Sequence, residues 1–250
     1  MSKPLILITN DDGIQSKGIS VLTAIAQRIG NVVVAAPDSS YSGMSHAMTV
    51  NKPLVTKPDE RFGESVRAFA IGGTPVDCVK LAVHELVPSR PDIILSGINH
   101  GSNVSSSVHY SGTIGAVREA ALLGIRGVAF SLDDFDHDAD FSYAEPVVAQ
   151  VIEYFLKAEN FRNVFFSVNI PKGEVRGIKP CRATLGHWLE DPHSFTAPDG
   201  SEYAWLFGKY INDEPSDNDT DVAWLNQGYA TVTPCRIDVC DYDVLRQLNF

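Results

Sequence analysis

Two adjacent carboxylates, Asp11 and Asp12, follow the run Leu5-Ile6-Leu7-Ile8-Thr9-Asn10 and are closed by Gly13. Neighbouring acids repel each other unless positive charge lies between them, and a hard divalent cation with its preference for oxygen ligands supplies it. The same residues also suit an ordinary turn, so the reading depends on what else lies nearby. Two further polar stretches follow apolar runs. One is Pro37-Asp38-Ser39-Ser40-Tyr41-Ser42-Gly43-Met44-Ser45, and the other is Gly97-Ile98-Asn99-His100-Gly101-Ser102-Asn103. Carboxylates, hydroxyls and an amide form a hard-cation inventory, unlike the thiolates and imidazoles that hold zinc or copper. A fourth stretch, 105–112, is rich in serine and leads to Ser111-Gly112-Thr113. If a helix starts there, its free N–H groups and hydroxyls suit a phosphate, although Ser111 or Thr113 as a plain cap explains the same residues. A cation loop beside an anion seat points to phosphate-ester hydrolysis.

The elements that must position these residues alternate between strand-like and helix-like patterns. Residues 5–9 read as a buried strand. A helix over 17–28 carries Ile19, Leu22, Ile25, Ala26 and Ile29 on one stripe and stops at Gly30. A second strand covers 31–36. Residues 49–56 and 66–71 read as a more exposed strand pair around a polar turn. Thr74-Pro75 starts a helix to about 86, with Thr as cap and Pro in the first turn. Strands are predicted at 92–96, 128–132 and 164–168, and helices at 113–123 and 143–157. Such alternation implies right-handed crossovers and a mostly parallel sheet with helices on both faces. All the polar loops named above then leave one edge of that sheet and converge.

Residues 172–250 differ in character, with isolated aromatics, an acidic loop at 212–221 and a last strand at 229–234. The chain is therefore divided into a core, 1–171, and a β-rich extension, 172–250, read as an arm that packs on another subunit.

The 250 residues carry a net charge of 20 − 31 = −11, with 44% hydrophobic and 20% charged residues. That balance argues against general affinity for nucleic-acid backbone or for an anionic membrane. Met1-Ser2-Lys3-Pro4 opens no signal-peptide pattern, and no 18-residue apolar run exists. Four cysteines without C-x-x-C spacing read as reduced thiols, and a cytoplasmic protein is expected.

Several other patterns carry less. Asp134-x-Asp136-x-Asp138 has calcium-loop spacing, but Ala139 replaces the required glycine, and a solvated acidic loop is the better reading. His187 and His193 lack ligand spacing and read as structural. No G-x-G-x-x-G follows the first strand, and neither a P-loop nor an Asp-x-Asp phosphatase signature is present.

Five motifs together resemble one family. Thr9-Asn10-Asp11-Asp12-Gly13, Ala36-Pro37 with Ser42-Gly43, Gly72-Gly73-Thr74-Pro75-Val76-Asp77-Cys78-Val79, Ser96-Gly97-Ile98-Asn99-His100-Gly101 and Tyr110-Ser111-Gly112-Thr113-Ile114-Gly115-Ala116 are similar, in order and spacing, to the SurE (survival protein E) family of metal-dependent 5′/3′-nucleotidases. Beyond about residue 170 the likeness rests on Asp219-Thr220-Asp221 and Val232-Thr233-Pro234. There Cys235 stands where members typically have leucine.

The resemblance implies a Rossmann-like sheet and one divalent cation, magnesium or manganese, on Asp11, Asp12, Ser42 and Asn99. The loop contents alone reach these stretches but do not choose Ser42 over Ser39 or Ser40, nor Asn99 over Asn103. Implied substrates are nucleoside monophosphates, with short polyphosphate for some members, and the implied assembly is a homodimer or homotetramer. Gly43, Ser45, Ser111, Gly112 and Thr113 would hold the phosphoryl oxygens, and Asp11 would lie closest to the chemistry. His100 and His109 read either as acids for the leaving alcohol or simply as loop histidines. A non-catalytic nucleotide-binding regulatory protein is the alternative.

Overall fold

A computed structural model of the chain describes residues 3–159 and 161–249. Its centre is β1 (Leu5–Thr9), a run of five buried residues with β2 (Asn31–Pro37) on one side and β5 (Ile93–His100) on the other. β4 (Arg67–Ile71) extends the sheet parallel to β2, and β3 (Thr56–Asp59) closes that edge antiparallel to β4. On the other side β6 (Gly127–Leu132) and β7 (Val164–Ile170) continue in parallel.

Side chains alternate between the faces, as strand geometry requires. Ile6 and Ile8 pack in a cluster with Ile19, Leu22 and Ile25 of α1 (Lys17–Gln27) and Val148, Ile152 and Phe155 of α4 (Ala144–Lys157). Leu5 and Leu7 pack on the opposite face with Cys78, Val79 and Ala82, which come from α2 (Pro75–Leu81) and the turn after it, and with Ala116 and Ala120 of α3 (Gly112–Leu122). Two helices thus cover each face of a mostly parallel sheet, as the alternating pattern predicts.

The expected strand at 49–56 is a correction. Residues 49–55 carry no strand; the pairing begins at Thr56, about one strand length later. The Thr49 N–H instead meets the Asp77 carboxylate at 3.0 Å, and the Thr74 hydroxyl donates to the Ala47 carbonyl at 2.7 Å. The same Thr74 and Asp77 form the reciprocal capping box of α2, so one helix end secures this loop.

Beyond residue 171 the chain returns to the sheet. β8 (Ile178–Pro180) pairs in parallel with β11 (Ala230–Arg236), and β11 pairs antiparallel with β7. Between them, β9 (Gly186–Thr196) and β10 (Glu202–Asn212) form a two-stranded antiparallel ribbon outside the main sheet. Short helices α5 (Asp221–Asn226) and α6 (Tyr242–Leu245) complete the chain. Among the described residues no helix is long and apolar enough to cross a membrane.

The strand order is β3-β4-β2-β1-β5-β6-β7-β11-β8. From β1 the chain builds outward through β2 and β4, then crosses back to add β5, β6 and β7 on the other side. The reversal lies between β1 and β5. A crevice opens there, outside the carboxyl ends of the strands, and it is the ligand position of open α/β sheets.

Candidate functional site

Asp11 and Asp12 leave the end of β1 at this crevice. Asn10 shapes their turn: its side-chain amide donates to the Gly13 carbonyl and to the Ser16 hydroxyl, each at 2.9 Å. Ser16 in turn caps α1. The motif reading assigned Asn10 no role, and its burial explains why. Its amide nitrogen acts inside the loop.

The other three loops are hydrogen-bonded to the first or to one another. The Tyr41 N–H donates to the Asp11 carbonyl at 2.7 Å, and the His100 N–H faces Asp12 Oδ2 at 3.4 Å. The Ser45 N–H donates to the Tyr110 carbonyl at 2.8 Å, and its hydroxyl donates to the His109 carbonyl at 2.6 Å. Ser45 is therefore spent on clasping the second loop to the fourth. Its amide, expected to face a phosphoryl oxygen, is already occupied.

α3 starts against Asp11. Ser111 is its N-cap and accepts from the Ile114 N–H at 3.2 Å, so the plain capping reading holds for Ser111. The Thr113 hydroxyl is fully buried and donates in a short hydrogen bond to Asp11 Oδ1. Gly112 makes this approach feasible, because a Cβ there would lie 2.9 Å from Asp11 Cβ and 3.1 Å from Oδ2.

A bulge in β5 aims Asn99. Ser96 pairs with Ala129 of β6, but the next pair is Asn99 with Ser131, so β5 spends one residue more than its neighbour. The Asn99 amide nitrogen donates to the carbonyls of His100 at 3.0 Å and Gly101 at 2.7 Å, which leaves its oxygen as the free acceptor. Asn103 is committed elsewhere. It is buried, its N–H donates to Asn169 Oδ1 at 2.7 Å, and its side-chain amide donates to the Ser131 hydroxyl at 2.8 Å. In the second loop Ser39 bonds its neighbour Asp38 at 3.2 Å, while exposed Ser42 lies 3.1 Å from the Ser40 hydroxyl. Gly43 is exposed, with a φ of 73°.

Asp11 is only 3% exposed and has no Lys, Arg or His partner among the described residues. Burial pushes its carboxyl from the ordinary 3.8 up to about 6; the Thr113 hydrogen bond opposes this rise and the Asp12 charge adds to it. Burial also raises Asp12, against the lowering effect of the His100 N–H. A buried and a half-buried carboxylate that repel each other, with a neutral hydroxyl on the first and a backbone N–H facing the second, fit a divalent cation. Among the described residues no three His, Cys, Asp or Glu side chains converge, so a cation here needs a mixed set that includes hydroxyl and amide oxygens.

The remaining expectations resolve simply. The His100 ring faces the Asp136 carbonyl at 3.0 Å, and exposed His109 contributes its carbonyl to Ser45; neither ring bonds Asp11 or Asp12. In the acidic loop Asp134 and Asp136 accept the N–H groups of Asp136 and Asp138, and Lys172 neutralises Asp134 at 3.0 Å. His187 and His193 pair with Asp213 and Asp191. Asp219 accepts from the Trp224 indole at 2.9 Å. Asp221 ties the extension to the fourth loop, accepting from the Ser105 N–H at 2.9 Å and the Thr184 N–H at 2.8 Å. In sequence Asp221 stands out as the last residue of Asp219-Thr220-Asp221, but its bonds to the fourth loop are not legible there.

A doubly covered parallel sheet with carboxylates, hydroxyl and amide at its switch point, against a helix N-terminus, defines an α/β protein built to handle a cation and an oxyanion together. The model for the family described as Survival protein SurE matches residues 6–190, and the chain belongs to that family. A protein named 5′-nucleotidase SurE from Flavobacterium psychrophilum is 42% identical over 252 aligned residues, spanning 100% of this chain and 98% of that one. Another of that name, from Caldanaerobacter subterraneus, is 39% identical over 256 residues, with 100% and 98% covered. The crystal structure of the SurE protein from Aquifex aeolicus matches with a TM-score of 0.84 at 30% identity, covering 98% of both chains.

Proposed function

We propose that this chain is a divalent-cation-dependent phosphomonoesterase that hydrolyses nucleoside 5′-monophosphates to nucleoside and phosphate, and that 3′-monophosphates and short polyphosphate are further substrates. The observation that carries the reading is the Thr113–Asp11 hydrogen bond, which joins the start of α3, an anion seat, to the carboxylate pair, a cation seat. The names of the relatives support it.

One cation, Mg2+ or Mn2+, is assigned to Asp11, Asp12, Ser42 and Asn99; when bound it neutralises phosphoryl oxygens and acts as a Lewis acid. The protein's own residues do the rest. Thr113 fixes the Asp11 carboxylate beside the reacting phosphorus. The Gly112, Thr113 and Gly43 N–H groups, with the Ser111 hydroxyl, face the remaining oxygens. Ser45 holds Gly43 against the fourth loop. Asn99, a neutral ligand, avoids a third negative charge that would repel the anionic substrate. The test is phosphate release from a panel of nucleoside 5′- and 3′-monophosphates and short polyphosphate in the presence of Mg2+ or Mn2+. Release from the 5′-monophosphates is expected; release from none of the panel would leave a non-catalytic nucleotide-binding protein.

The ribbon supports a homodimer or homotetramer built through residues 172–250. Trp205, Leu206 and Phe207 are exposed on β10, and Trp188, Leu189 and Phe195 on β9. Sedimentation should give a dimer or tetramer that Trp205→Ser with Leu206→Ser dissociates. A wild-type monomer would remove the ribbon from this role.

A further inference from the structure

Between the end of β2 and Thr56 the chain runs without strand or helix, and this stretch carries Ser42 and Gly43. Ser42 is exposed, and a Cβ at Gly43 would meet nothing within 4 Å, so packing on their side chains does not place them. The turn that follows is better anchored. The Ala47 N–H closes it by donating to the Met44 carbonyl at 3.0 Å, with Ser45 in the left-handed region at a φ of 52°. This turn lies directly on α3: a Cβ at Gly115 would fall 2.2 Å from the Ser45 carbonyl oxygen and 3.2 Å from His46 Cα.

Glu119 stands one helical turn further along the same face of α3. Its side chain is 6% exposed and faces two nitrogen groups. Lys80 of α2 donates to Oε1 at 2.9 Å, and His46 Nε2 of the turn lies 3.1 Å from Oε2. The His46 contact holds the Glu119 carboxyl below the usual range; burial opposes this and the Lys80 ammonium adds to it. A buried charge of this kind gains little stability over apolar packing, because desolvation offsets the attraction. What it does fix is position, since the carboxylate ties the turn to the helix whose first residues abut Asp11.

We propose that Glu119 and His46 are positioning residues: the Glu119 carboxylate, anchored by Lys80, holds the 44–47 turn on α3 and thereby sets Ser42 and Gly43 opposite Asp11 and the start of α3. Ser42 is then brought to the cation by a contact outside the cation's own ligand set. The inference rests on the assignment of Ser42 to the cation in the phosphomonoesterase reading.

The test compares wild type, His46→Ala and His46→Gln, the last with a side-chain amide that can donate to Glu119. Two readouts need no turnover. In metal-free His46→Ala the amides of Tyr41, Ser45 and Ala47 should exchange with solvent roughly tenfold faster or more, the loss expected from one contact to a charged group. The amides of 116–121 in α3 should keep their wild-type rates. Calorimetric titration should show Mn2+ bound roughly ten- to a hundredfold more weakly, the usual cost of losing a group that orients a metal ligand. His46→Gln should restore both readouts to within about threefold of wild type. Exchange at these amides, or Mn2+ affinity, within twofold of wild type in His46→Ala would overturn the assignment. A His46→Gln protein no better than His46→Ala would do the same. Wild type that binds no Mn2+ removes the cation site and this role with it. Mn2+ binding that depends on His46, in a protein that turns over no phosphoester, leaves the positioning role standing and sinks the catalytic reading alone.

Discussion

Asp11→Asn should abolish phosphate release while leaving the protein folded. The amide keeps the shape of the side chain but removes a charge from the cation's ligand set and from beside the phosphorus. Losing an electrostatic group at the reacting centre costs on the order of a thousandfold or more in turnover. Stability should behave differently. Asp11 is buried, its carboxylate is bonded by the neutral Thr113 hydroxyl and by backbone N–H groups, and its charged form is disfavoured there. Replacing it with a neutral isostere costs the fold little and relieves repulsion with Asp12, so Tm in the absence of added metal should stay level or rise. Glu153→Gln, an exposed carboxylate change on α4, serves as the control and should leave turnover unaltered. If Asp11→Asn retained activity within tenfold of wild type, the residue would have no essential part in the chemistry.

Gly18→Ala should cause the largest loss of stability among small substitutions near the site. Gly18 lies in the first turn of α1, where the helix presses on the bulge of β5. A Cβ there would lie 1.9 Å from the Ile98 carbonyl oxygen and 2.9 Å from its carbon. Both atoms are backbone, so no rotamer change relieves the clash; helix and strand must separate. Overpacking of that kind costs about 3 kcal/mol or more, which for a chain of this size lowers Tm by roughly 6–12 °C. Because Ile98 precedes Asn99, the displacement should also weaken turnover in the protein that remains folded. Ser20→Ala, on the exposed side of the same helix turn, should change Tm by a degree or two at most. Equal melting of Gly18→Ala and wild type would show that the packing of α1 on β5 is looser than described.

The central sheet was legible because local and long-range signals agree there. The apolar run at 5–9 is buried on both faces, as strands of a parallel sheet covered by helices are. The convergence of the loops followed from that topology alone. The selection among neighbouring oxygens did not, since Asn99 and Asn103 differ only in what the fold gives them to bond. One closes its own loop and the other is used up between β6 and β7. The misplaced edge strand has a similar cause. Residues 49–55 contain strand-forming types, but their first N–H is claimed by Asp77, a partner 28 positions away. The ribbon β9–β10 is exposed along most of both strands, so it lacks the inward-outward alternation by which a strand is read.

The most direct test of the account is phosphate release from adenosine 5′-monophosphate by wild-type protein stripped with chelator and then titrated with Mn2+. The account predicts no release from the stripped protein and a saturable return of activity as one cation per subunit is restored, with Asp12→Asn requiring far more metal. Turnover that persists undiminished in excess chelator would contradict it.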